Sequence, residues 1–100
     1  MKLLITGGKS ATAFKLLRNF SAEELILADY GDVPQIPFSN CRFFSLGELN
    51  KDTTAHVLLT FCLDQGVDTV LPVYDFEKDA LLAARQLFME FNIRLMIHDY

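Results

Sequence analysis

No run of basic residues occurs anywhere in this 100-residue sequence, and its net charge is −4. A nucleic-acid surface needs clustered Lys and Arg, so that class of partner is excluded. Long apolar runs are missing too, and the longest present are far too short to span a bilayer. Lys2 precedes only three apolar residues before Thr6-Gly7-Gly8 breaks the run, a pattern that does not fit a signal peptide. Cysteine is scarce. Cys41 and Cys62 have no metal-ligand spacing and read as reduced, small core hydrophobes of a cytoplasmic protein. His56 has Thr60 rather than a second ligand four residues on, so it offers no metal site. No Ser-His-Asp or Cys-His set has a recognisable spacing, and no complete catalytic site is present.

What the sequence does have is apolar bulk. Apolar residues make up 51% of it, nine of them phenylalanine, enough for one compact domain that buries roughly two-thirds of its unfolded surface. The stretch that organises it is KLLITGGKSAT, residues 2–12. Lys2–Thr6 reads as a strand and Gly7-Gly8 as a sharp turn. Ser10 can cap a helix whose apolar face follows at Ala13, Leu16, Leu17 and Phe20. Strand, glycine turn and helix N-terminus together open many nucleotide-binding sheets, because free N–H groups there attract anions. The dinucleotide fingerprint needs two further glycines, where Lys9, Ser10 and Ala11 stand instead. A tight βα turn that binds nothing is the competing reading.

Further along, residues 24–29 (ELILAD) form a second strand whose unbroken apolar run predicts cover on both faces, as in a parallel sheet. Asp29 at its tip either holds a ribose hydroxyl, as in dinucleotide folds, or merely starts the next loop. Gly31–Asn40 reads as a loop pinned by Val33, Ile36 and Phe38, and Cys41–Leu46 as a short strand at an edge. Thr53 or Thr54 starts a helix with Ala55, Leu58, Leu59 and Cys62 on its buried stripe, stopped by Gly66. Residues 68–73 (DTVLPV) give a central strand that Pro72 ends. A third helix is expected to run to Phe91, with Ala80, Ala84, Leu87, Phe88 and Phe91 on one face and Asn92 as its stop. Arg94–Ile97 closes the sheet. The pattern predicts a Rossmann-like, three-layer α/β domain with a mostly parallel five-stranded sheet in the order 3-2-1-4-5. Leu4, Leu17, Ile26, Leu58, Val70, Leu71, Phe88 and Phe91 are its expected core.

Ligands of such sheets bind outside the carboxyl ends of the strands. Those ends carry Gly7, Gly8, Lys9 and Ser10, then Asp29 and Tyr30, then Asp75 and Glu77, then His98 and Asp99. The expected substrate-binding set is Gly7, Gly8, Lys9 and Ser10 facing Asp75 and Glu77 across a shallow cleft, with Asp29 near the rim. Asp75 and Glu77 also suit a plainer role, as acids beside a helix N-terminus.

The segments KLLITGGKS, ELILADYGDVP, AHVLLTFCLDQGVDTVLPVYDFE and LLAARQLFMEFNIRLMIHD cover most of the chain. Together they resemble the N-terminal pre-ATP-grasp domain of ATP-grasp carboxylate–amine ligases, nearest to carbamoyl-phosphate-synthase-like proteins. The resemblance implies that residues 1–100 are the substrate-side N-terminal part of a longer ligase, and that the whole reaction does not run on them alone. It implies a small acceptor such as an amino acid, no cofactor in this domain, and ATP and magnesium held by an ATP-grasp domain in cis. Two other readings stay open: an NAD(P)-binding domain of an oxidoreductase, and a ligand-free interaction module, for which a homodimer is one assembly.

Overall fold

The computed structural model describes residues 2–17, 24–33 and 41–97. Five strands, β1 (Lys2–Thr6), β2 (Glu24–Asp29), β3 (Cys41–Ser45), β4 (Thr69–Leu71) and β5 (Arg94–Leu95), form one sheet in the order β3-β2-β1-β4-β5. Every pairing is parallel, with Leu4 opposite Ile26 on one side and Val70 on the other. The chain is therefore an α/β protein with the strand order that its sequence predicts. No helix among the described residues is long and apolar enough to cross a membrane.

Alternation along the strands splits the core in two, because successive side chains leave a strand on opposite faces. Leu4, Ile26, Ala28 and Val70 face one helical layer, α2 (Thr54–Gln65), α3 (Asp75–Ala83) and α4 (Arg85–Glu90), which contributes Leu58, Leu59, Cys62, Leu81 and Phe88. Leu3, Ile5, Leu25, Leu27 and Leu71 face the other side, with Ala13 of α1 (Ala11–Leu17). Both faces are covered, and this is why β1 and β2 carry unbroken apolar runs. Burial pushes the Cys62 thiol up to about 12, so it is an inert core group.

The helix boundaries follow local chemistry in most places. The Ser10 hydroxyl accepts the Ala13 N–H at 3.2 Å, a side-chain cap on the first turn. Gly66 (φ 69°) ends α2 in the left-handed region and donates to Cys62 O, and Asn92 (φ 60°) does the same after α4. Thr53 holds the position before α2, but its hydroxyl donates back to Asn50 O at 3.4 Å and caps no N–H.

Three expectations need correction. The third helix is two, broken at Ala84 (φ −101°, ψ 13°). Its buried stripe is Glu77, Leu81 and Phe88 rather than Ala80, Leu87 and Phe91, and Phe91 is 47% exposed. Phe88 is buried and Ala84 packs on the core as expected; the offset is in α3, where the inward-facing Glu77 puts Leu81 rather than Ala80 on the sheet. β4 and β5 are also shorter than expected, although Arg94 N donates to Asp68 O and Met96 N to Val70 O, extending that pairing at both ends. The Leu17 side chain, the end of the first helix, most of the loop before Cys41, and His98 and Asp99 lie outside the described residues.

Candidate functional site

The carboxyl ends of β1, β2 and β4 meet where the strand order reverses. Beyond Thr6 the chain turns through Gly7, whose φ of 69° favours glycine and whose missing Cβ would meet Val73 Cβ at 3.0 Å and the Tyr74 ring at 3.3 Å. A Cβ on Gly8 would sit 2.9 Å from Phe43 Cζ and 3.1 Å from Leu27 Cβ. Gly7 is thus explained by the close approach of the segment after β4, and Gly8 by that of side chains on β2 and β3.

The turn's N–H groups point inward. Gly8 N donates to Ala28 O at 3.0 Å and Ser10 N to Gly7 O at 2.9 Å. Lys9 N donates to Asp29 Oδ2 at 2.9 Å. The anion at the head of α1 is therefore the protein's own carboxylate. Asp29, 2% exposed, also accepts Tyr30 N on Oδ1 and the Tyr74 hydroxyl on Oδ2, each at 2.7 Å. The Lys9 ammonium donates to Tyr30 O at 2.6 Å and Asp32 O at 3.2 Å, tying the turn to the loop after β2.

Glu77 lies deeper still, with no exposed surface. Its Oε1 accepts the Thr6 hydroxyl at 2.7 Å and its Oε2 the Tyr30 hydroxyl at 2.8 Å. Burial raises its pKa, and the hydrogen bonds from Thr6 and Tyr30 oppose that rise. The two tyrosines answer in kind. Burial, then the carboxylate each one touches, raises both, and Tyr74 is pushed up to about 12. Both phenols stay neutral donors over the ordinary pH range.

Phe76 stacks on Tyr74 with ring centroids 5.6 Å apart and planes 16° apart, and it meets Tyr30 at 5.9 Å. The Lys51 ammonium stands 5.3 Å from the centroid of Phe76. Asp75 projects outward, its side chain 96% exposed, with Lys78 at 3.7 Å.

The sequence-derived set is gathered at one edge, but it divides into two layers. Asp29 and Glu77 lie inside, and the turn from Gly7 to Ser10 closes over Asp29. Asp75 stands outside, with the partly buried rings of Tyr74 and Phe76 beside it. Asp75 and Glu77 do not act as a pair. Sequence reasoning did not assign Thr6, Tyr30, Tyr74, Phe76 or Lys51 to the site. The legible signal was the first three: hydroxyl residues ending apolar strands or directly following them, where a buried acid needs donors.

Among the described residues no group of three His, Cys, Asp or Glu side chains converges to hold a metal ion. The two buried carboxylates here are engaged by five donors, so the set does not fit a magnesium ion. No protein-family model matches this chain, and no curated protein is similar to it.

Proposed function

We propose that this chain is the acceptor-substrate side of an ATP-grasp carboxylate–amine ligase, an N-terminal domain that is not catalytically competent alone. A parallel sheet hosts many chemistries, so the fold by itself does not carry this reading. The observation that carries it is Asp29 sealing the glycine turn. A dinucleotide would need those turn amides for its pyrophosphate and a free acid for its ribose hydroxyl. Here Asp29 is itself engaged by the Lys9 amide, Tyr30 N and the Tyr74 hydroxyl, and the Gly8 and Ser10 amides go to main-chain carbonyls.

What remains accessible suits a small zwitterion. Lys9 uses two carbonyl partners, leaving an ammonium with three donors room for one more contact, to a carboxylate. The exposed Asp75 carboxylate suits an amine, and Tyr74 and Phe76 offer an apolar wall. In this reading ATP and magnesium belong to the ATP-grasp domain in cis, and the acceptor is an amino acid or a similar molecule. Residues 1–100 supply one wall of the cleft, so their affinity by themselves is weak, on the order of millimolar.

Amide-resolved NMR titration of the chain with amino acids, ATP and NAD tests this. Amino acids should shift Gly7–Ser10 and Tyr74–Phe76, while NAD leaves the Lys9 and Tyr30 amides in place. Tight NAD binding that moves those amides overturns the reading in favour of an oxidoreductase domain. Silence toward every amino acid at concentrations of about 10 mM overturns the acceptor role.

A further inference from the structure

The outer side of α3 and α4 carries exposed apolar residues. Leu82 and Met89 are 49% and 66% exposed and lie on the same flank of the buried Leu81 and Phe88. Leu82, Ala83, Arg85, Gln86 and Met89 line one open groove of about 570 Å³ along this side. The stripe that packs on the sheet, Glu77, Leu81 and Phe88, is a different one. Clustered exposed apolar residues rimmed by polar ones mark association surfaces. Two charges flank Leu82 symmetrically: Asp79 three residues before it and Arg85 three residues after it. Neither has an ion-pair partner among the described residues.

We propose that this face docks on the same face of a second copy, antiparallel, about a two-fold axis near Leu82. A two-fold interface must be self-complementary, so that each patch meets its own copy reversed. Reversal about Leu82 sets Asp79 opposite Arg85 of the partner subunit, and Arg85 opposite the partner's Asp79. Parallel docking would set Asp79 against Asp79 and Arg85 against Arg85, which like-charge repulsion disfavours. The small Ala83 beside the axis lets the helices approach closely. A contact of roughly three helical turns is short of the standard interface size, so the dimer is a transient one that forms at high concentration. The proposal does not rest on the ligase reading, because the face lies on the helical flank rather than at the strand ends.

Sedimentation velocity on the full chain, from about 10 µM to about 1 mM, reads the association directly. The weight-average mass should climb from 11.4 kDa toward twice that value. Arg85→Asp and Asp79→Arg should each abolish the climb, and the double variant carrying both should restore it. Leu82→Glu should stay monomeric throughout while keeping the wild-type urea midpoint, since the side chain is half exposed. Three results overturn the proposal. A wild-type chain that stays monomeric at every concentration hands the face to a different partner. Single charge reversals that associate as well as wild type reduce it to unspecific apolar adhesion. A double variant that does not recover removes the antiparallel pairing.

Discussion

Asp29 and Glu77 are carboxylates buried at the same edge of the sheet, and their partners differ in kind. Two of the three donors to Asp29 are main-chain N–H groups, from Lys9 and Tyr30. These only donate, so nothing but an acceptor can occupy the position. The side-chain partners of Glu77 are both hydroxyls, from Thr6 and Tyr30, with the Tyr74 main-chain N–H also acting on its carboxylate. A hydroxyl can donate or accept, and its proton turns to suit. Asp29 thus closes a turn that has no alternative filling, whereas Glu77 sits in a cradle that tolerates an acid, a carboxylate or an amide. The first holds the backbone in shape; the second sets which way α3 faces.

Removing Asp29 should have the largest effect. Asp29→Ala strands the buried Tyr30 N–H, the part-buried Lys9 N–H and the Tyr74 hydroxyl, and should cost about 3 kcal/mol in urea denaturation. A loss below about 1 kcal/mol would mean that water reaches these donors, and the contrast with Glu77 would collapse. Next comes Gly8→Ala. Its new methyl would press on Leu27 Cβ at 3.1 Å and Phe43 Cζ at 2.9 Å, and should cost about 1–3 kcal/mol as overpacking. If the melting temperature does not move, the turn has slack that the structure denies it.

Tyr74→Phe deletes one of the donors to Asp29 and keeps the ring on Phe76. The loss should be about 1 kcal/mol at neutral pH, because the Tyr74 bond to the carboxylate is only part-buried and so partly screened. Its folded pKa is pushed up from 10.0 to about 12. That contribution is therefore complete below pH 10 and disappears as pH rises through 12, so the gap between the two proteins should close over that interval. A gap that is constant across it would sever the link between Tyr74 and Asp29.

Glu77→Gln should have the smallest effect, under about 1 kcal/mol, since Thr6 and Tyr30 can accept as well as donate. Its sign should depend on pH. Burial raises the folded pKa of Glu77 above its ordinary 4.5. The stability this gives wild type is complete below 4.5 and is lost as pH climbs through the folded value. Gln, which does not titrate, should therefore gain on Glu between acid and neutral pH. A flat difference would show that the cradle holds the carboxylate as well as water does.

Much of the fold could be read from residue order. Leu25–Ala28 is apolar without interruption, and only a parallel strand covered on both faces wants that. Ser10, Gly66 and Asn92 mark helix ends through local backbone chemistry that needs no distant partner. Less of the site could be read. Gly7 and Gly8 announced a close approach, but a glycine does not say whether a ligand or another part of the chain approaches it. Val73, Tyr74, Leu27 and Phe43 are the neighbours, and they come from 19 to 67 residues away in sequence.

Periodicity and capping are properties of a few consecutive residues, so the sequence by itself determined most of the elements, their order and the parallel sheet. Whether an acid faces inward depends on hydroxyls and amides brought from other strands. Tertiary structure alone therefore decided that Asp29 fills the turn and that Glu77 is buried while Asp75 is not. It also decided the rotation of α3. One buried glutamate, held by Thr6 and Tyr30, turns that helix inward at Leu81 and leaves Leu82 facing out.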